Sequence, residues 1–355
     1  MASDAANDCA ARTGPHTSPP ASTRSAPTGD GPGSSTAAGV LLMFGSAAGF
    51  GLSGPFVAPL LQAGWSPAAA VAVRAFVAGL VLLIPGLLAV RGRFRQVLRS
   101  WRLVLAYAVI AVMATQLSYF AAIAFLEVSV AVLIKCTAPV LVVLFLWVRT
   151  GRSPRTLTIL GAITSLAGVA LVVDPSRAGG LSLPGLLLAA LSAMAMAAYF
   201  FVNNHPSGDL PALTQLSFGL MTGGAVTALL GVIGILPFTM TFGTALVAGH
   251  ELPWYVPVAI LVLLATVVPY VCGLLGTRAA GPRIASFIAL TETIFAALIA
   301  WAILDQALAV WQIIGGALVL FGVFVVQLER DRPVLETPDE PAPDSPDLPV
   351  QDSPD

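Results

Sequence analysis

Ten runs of apolar residues dominate this chain, at about 38–60, 67–90, 103–124, 129–148, 155–174, 183–203, 211–236, 254–276, 284–304 and 307–328. Each is long enough to cross hydrocarbon as a helix, which takes roughly 17–25 residues. In a bilayer every backbone N–H and C=O has to be satisfied without water, and among open structures only the helix does that. The runs therefore predict an all-α integral membrane protein with ten transmembrane helices. Composition points the same way, since 10% of the residues are charged against about 25% in a soluble domain.

Two segments stand outside this pattern. Residues 1–37 are rich in Ala, Ser, Thr, Pro and Gly with no apolar run, and read as a disordered cytoplasmic tail. Residues 329–355 are acidic and Pro-rich, and read as a second disordered tail. Between them the basic residues are sorted by side. With the N-terminus inside, fourteen of the 17 lie in cytoplasmic segments, among them Arg91, Arg93, Arg95, Arg99 and Arg102, and one, Arg177, lies opposite. Arg74 and Lys135 are embedded. That asymmetry predicts a multi-pass protein of the cell membrane with both termini cytoplasmic.

The chain also repeats itself. Residues 131–173 are echoed without a gap by 285–327, and 11 of the 43 positions are identical, including Trp147/Trp301, Gly161/Gly315 and Gly168/Gly322. Chance would match roughly a tenth in so apolar a sequence. Further back, ATQLSY (114–119) answers ATVVPY (265–270), pairing Tyr119 with Tyr270, and more loosely Ser46 answers Ser192. The repeats are then 38–174 and 183–328, of five spans each. Five is odd, so the second copy enters the membrane from the opposite side. Inverted repeats of this kind place a shared site near the bilayer midplane, reached alternately from each side.

Two five-helix units, the APVLVVLFLW and ETIFAALIAW segments and the Gly-containing helix after each resemble the drug/metabolite transporter superfamily, and more narrowly its ten-helix exporter family of paired EamA units. The stretch from Ala265 to Trp301 is similar to the threonine/homoserine exporter branch, with departures: Glu292-Thr293 stands where that branch often has Glu-Pro, Leu304-Asp305 where the family often has Gly-Glu, and Lys135 where relatives can carry an acid. The resemblance implies secondary active transport of small organic metabolites, amino acids or related compounds, outward and in exchange for protons, by alternating access. A non-transporting receptor or scaffold and a membrane-embedded enzyme are the alternatives.

Within that frame the polar residues of the spans are the candidates. Lys135 is the only lysine and sits roughly 9 Å inside the fourth span at 1.5 Å per residue. It either snorkels to the outer interface or faces a central cavity, where it would meet a substrate carboxylate or an acidic side chain. Glu292 lies near mid-bilayer, too deep to snorkel, and is the candidate for proton coupling. Under the repeat Lys135 corresponds to Ala289, one turn from Glu292. The two would therefore project from equivalent faces, pair in the empty protein, and be parted by a zwitterion. Gln116, Tyr119, Tyr199 and Tyr270 complete the expected substrate-binding set, with Asn203 a further polar candidate. For Arg74, structural pairing or interfacial anchoring is favoured over substrate contact. Trp147 and Trp301 read as interface anchors, and the paired glycines as close helix packing.

Several chemistries find no support. GFGLSG (49–54) matches a dinucleotide-loop pattern by letter, but lies within the first span with no preceding strand. There is no Walker A sequence, no HExxH and no Ser/His/Asp grouping of recognisable spacing. The three cysteines suit neither a disulfide framework nor a metal site. The expectation is no catalytic residue, cofactor or metal, and no nucleic acid. The expected partners are a small-molecule substrate and the lipid bilayer, with protons and a second copy of the chain as further candidates.

Overall fold

The structure, a computed structural model, describes residues 32–90, 94–151, 153–173, 182–203 and 210–330. Among the described residues ten helices are long and apolar enough to cross a membrane: Thr36–Gln62, Pro67–Val90, Trp101–Ile123, Val128–Thr150, Thr156–Val173, Leu183–Phe201, Ala212–Val232, Tyr255–Ala280, Pro282–Leu304 and Val310–Leu328. They are called the first to tenth spans below. The fifth has 18 residues, about 27 Å of helix against roughly 30 Å of hydrocarbon, so it can cross only nearly upright. The first and eighth, with 27 and 26 residues, have length to spare for tilt.

The first helix begins at Pro32, so its opening turns take in residues that composition groups with the N-terminal tail; the tail residues 1–31 and 331–355 lie outside the described residues. Between the seventh and eighth spans stands a short antiparallel hairpin, β1 (Thr244–Val247) and β2 (His250–Pro253), in the register Thr244↔Pro253 to Val247↔His250. Its turn puts Ala248 and Gly249 at φ 51° and 77°, the mirror-image turn that suits the twist of a two-stranded ribbon. Four-residue strands carry too little alternation to show in a chain read for spans.

The spans themselves are interrupted, and the interruptions obey the repeat. The fourth breaks between Val128–Lys135 and Ala138–Thr150, and the ninth between Pro282–Ala289 and Thr291–Leu304. Lys135 and Ala289, the last residues before each break, are the repeat-equivalent pair. The third and eighth carry π-helical turns at Ala108–Ala114 and Leu263–Val267. In each, a threonine reaches back five residues to a freed carbonyl: Thr115 Oγ1 donates to Ile110 O at 2.8 Å and Thr266 Oγ1 to Leu261 O at 2.7 Å. Those threonines are the same letter of the ATQLSY and ATVVPY echo. Even the C-caps of the fourth and ninth spans match, with Gly151 and Asp305 left-handed at φ 66° and 56°. Asp tolerates that conformation better than most residues with a Cβ.

Packing between the halves is reciprocal, as a two-fold relation requires. The fifth span crosses the tenth with Gly161 on Gly322 and Gly168 on Gly315; a Cβ on Gly168 would come 2.6 Å from Gly315 O, and one on Gly315 2.7 Å from Gly168 O. The first span packs on the eighth and the sixth on the third. Ser46 Oγ donates to Pro269 O at 2.8 Å, and Ser192 Oγ to Thr115 O at 3.0 Å. The second packs on the seventh. Its Ala75, Ala78, Gly79, Leu82 and Gly86 are buried there while Leu80, Ile84 and Leu88 are exposed on the outer stripe. Small residues inward and large apolar residues outward is the pattern of a helix that meets protein on one face and lipid on the other.

Candidate functional site

The two interrupted helices meet at their breaks. Ending a half-helix at Lys135 leaves the next two residues outside regular helix, and the local turn lets Thr137 Oγ1 cap back to Ile134 O at 2.7 Å. Thr291 Oγ1 repeats this in the ninth span, to Ile288 O at 2.6 Å. From these breaks Lys135 Nζ reaches Glu292 Oε1 at 3.0 Å, joining the two repeats with a salt bridge. One residue on, Cys136 Sγ lies 2.9 Å from Thr293 Oγ1. The ammonium also stands over the Tyr119 ring, 4.7 Å from its centroid, a favourable cation–π distance. The side chains of Lys135 and Glu292 are 15% and 22% exposed. Lys135 is thus directed at Glu292 and Tyr119, and the pair is partly exposed.

Arg74 lies alongside, 4% exposed. Its Nε donates to Thr266 Oγ1 at 2.6 Å, one terminal nitrogen to Gln116 Oε1 at 3.2 Å and the other to Ala265 O at 3.0 Å. The guanidinium stacks over Phe120 at 5.3 Å, so the two buried cations sit over the consecutive rings Tyr119 and Phe120. The eighth span offers Ala265 O and Thr266 Oγ1 at its π turn, where the helical ladder is already disturbed. These bonds tie Arg74 to the third and eighth spans.

A cavity of about 300 Å³ is lined by Phe50, Tyr107, Tyr199, Gln215, Tyr270 and Thr277 with their small and apolar neighbours. Phe50 and Tyr270 meet edge to face at 4.8 Å, and Tyr107 and Tyr199 at 5.7 Å. Tyr270 also borders a gap of about 10 Å³ against Arg74, Gln116 and Thr266, and lies within electrostatic reach of Arg74, Lys135 and Glu292. The lining residues reach the C-terminal ends of the sixth and eighth spans and the N-terminal end of the seventh. The connections on that side of the alternating spans carry Arg95, Arg99, Arg102, Arg149, Arg155, Arg278 and Arg283, all exposed, whereas the described connections at the other end, 63–66, 124–127, 233–254 and 305–309, hold no Arg or Lys.

That other end is closed. Trp65 Nε1 donates to Thr241 O at 2.7 Å, and Ser66 N to Thr239 O at 3.0 Å. The hairpin turn donates from Ala248 N to Ile303 O at 3.2 Å. Gln306 Oε1 accepts from Val128 N at 3.2 Å, and Gln312 Nε2 donates to Glu127 Oε2 at 2.8 Å. All of these bonds except that from Ala248 to Ile303 cross from one repeat to the other.

The expected site residues thus divide into two neighbouring groups. Lys135, Glu292 and Tyr119 form the ion-pair cluster, with Gln116 on the adjacent Arg74. Tyr199 and Tyr270 line the cavity. The Asn203 side chain lies outside the described residues. Sequence reasoning passed over Thr266, Thr293, Cys136, Tyr107 and Phe50. Thr266 stood in the doubled ATVVPY segment and was legible there; Tyr107 has Val258 as its repeat counterpart and carried no signal.

The profile of the EamA-like transporter family matches residues 37–174 and again 183–328. No curated protein matches the chain. Fifteen chains of solved structures do. One, a crystal structure described only as that of a protein, is 20% identical, covers 85% of this chain and 99% of its own, and superposes with a TM-score of 0.55. A likeness of that degree speaks to the fold alone.

Proposed function

The chain belongs to the EamA-like transporter family, and from that premise we propose that it is a secondary active exporter of small zwitterionic metabolites, amino acids or related compounds, in exchange for protons by alternating access. The carrying observation is the Lys135–Glu292 salt bridge, which ties the two repeats together at their matched helix breaks. A substrate with both charges replaces it: its carboxylate meets Lys135 and its ammonium meets Glu292. Parting the pair releases one tie between the repeats. Glu292, freed of its lysine, is the group that takes up a proton for the return step, the usual work of an acid embedded among spans.

The cavity opens toward the arginine-rich end, which the positive-inside asymmetry makes cytoplasmic. Both termini then lie in the cytoplasm of a cell-membrane protein, and substrate enters from inside. Rocking of one five-helix repeat against the other breaks the inter-repeat bonds at the far end and opens the site outward. The two units of this reading are the repeats 38–174 and 183–328.

Counterflow of labelled amino acids in proteoliposomes, with and without an imposed pH gradient, tests this. Intact protein is expected to show saturable exchange accelerated by the gradient. Glu292→Gln keeps exchange but loses the pH response, and Lys135→Ala loses exchange. Unchanged pH-dependent exchange in both variants would sink the reading.

A further inference from the structure

Three charged side chains, Lys135, Glu292 and Arg74, lie together among the described spans, and their charges do not cancel. Lys135 and Glu292 neutralise each other at 3.0 Å. Arg74, 4% exposed, hydrogen-bonds to no acid among the described residues: its three bonds go to a hydroxyl, an amide oxygen and a backbone carbonyl, all neutral, and the one carboxylate nearby, Glu292, is already paired with Lys135. A guanidinium stays charged at any accessible pH, and a buried charge without a counter-charge is among the costliest groups a membrane protein can carry.

The guanidinium also has spare donors. Of its five N–H groups, the structure engages the one on Nε and one on each terminal nitrogen. One hydrogen on each terminal nitrogen has no acceptor among the described residues. N–H groups on the terminal nitrogens of an arginine are strong donors to a carboxylate. Space borders the arginine. The gap of about 10 Å³ against Arg74 is bordered by Tyr270, and Tyr270 also borders the cavity of about 300 Å³.

We propose that Arg74 is a carboxylate subsite, and that the transported compound is a small organic acid carrying one negative charge more than its positive charges. The proposal rests on the transport reading above and narrows its substrate class. The extra carboxylate accepts from the terminal nitrogens of Arg74 once Tyr270 turns aside, and the remainder of the molecule lies against the tyrosines. An amino acid with an acidic side chain meets both demands: its ammonium and one carboxylate part Lys135 from Glu292, and its second carboxylate supplies the counter-charge that Arg74 lacks.

Glutamate against glutamine and aspartate against asparagine isolate that one charge at nearly constant shape. The purified full-length chain is heated with each of the four, and the same four are offered as labelled counterflow substrates in proteoliposomes. The acids are expected to raise Tm and to exchange about tenfold better than their amides, a margin of about 1.4 kcal/mol. Arg74→Gln erases the difference, and Arg74→Lys keeps most of it. The comparison on intact protein stands even where a variant fails to fold. Acid and amide acting alike, or none of the four acting in either assay, overturns the subsite. Exchange of the amides without the acids overturns it and leaves transport of zwitterions standing. Acids that raise Tm without saturable exchange of any metabolite defeat the transport reading and leave the subsite intact.

Discussion

At the scale of single residues, the site is an exercise in offsetting charge. Lys135 and Glu292 lie 157 positions apart in the chain, yet each is the other's counter-ion. Removing one partner leaves a charge in a low-dielectric setting, and for fully buried pairs that costs about 3–5 kcal/mol. With 15% and 22% exposure, the cost here falls toward the lower end. Lys135→Met and Glu292→Met are each expected to lower Tm in detergent more than the double variant, which removes both charges together. A double variant no more stable than the worse single would show that the pair contributes no mutual compensation. The sequence placed both residues in spans and on equivalent faces, because depth and face follow from helical position. It did not supply Arg74's partners. Thr266, Gln116 and Ala265 come from two other spans, and only one of them, Gln116, was singled out beforehand.

At the scale of elements, the repeat governs interruptions as much as spans. The π turns at Ala108–Ala114 and Leu263–Val267, and the breaks after Lys135 and Ala289, fall at matched places. Such breaks expose backbone groups that protein must satisfy within hydrocarbon, so they belong where the helices face one another. The signal for them was weak. Neither Cys136-Thr137 nor Leu290 is a helix breaker by composition, and nothing in apolar periodicity marks a helix that stops for one residue and resumes. The paired glycines were legible, because small residues at helical spacing already predict close approach. With backbone 2.6 Å from a Cβ on Gly168, Gly168→Leu is expected to force the fifth and tenth spans apart. The variant should unfold at lower temperature and lose exchange, whereas Leu166→Val, at a side chain 47% exposed, should do neither. Equal behaviour of the two would show that the crossing tolerates separation.

For the whole molecule, the fold holds one end shut and leaves a cavity toward the other. The shut end combines hydrogen bonds between connections, chiefly those from 63–66 to 239–241, with apolar packing in which Trp65 meets Trp254, and Phe238 and Met240 lie against the same core. Bonds of this kind each contribute about 0.5–1.5 kcal/mol net, so a handful can be broken by the differential binding energy of a substrate. Ser66→Cys with Thr239→Cys places two thiols where backbone groups already meet at 3.0 Å. Oxidation of that pair is expected to stop exchange, and reductant to restore it. Exchange that continues through the cross-linked protein would show that this end does not have to open.

The sequence by itself determined the number of spans and the duplication that relates them. Each follows from a one-dimensional quantity: the length of an apolar run, or the recurrence of letters at a fixed offset. It also marked Lys135 and Glu292 as the embedded charges of an otherwise apolar interior. Only the tertiary structure decided what those charges meet. A side chain's depth is written in its own helix, but its partner is contributed by another, and which helices touch depends on the packing of all ten. That packing put Glu292 against Lys135, gave Arg74 three neutral partners and no acid, and turned Tyr119 and Tyr270, one letter of the repeat, toward two different tasks.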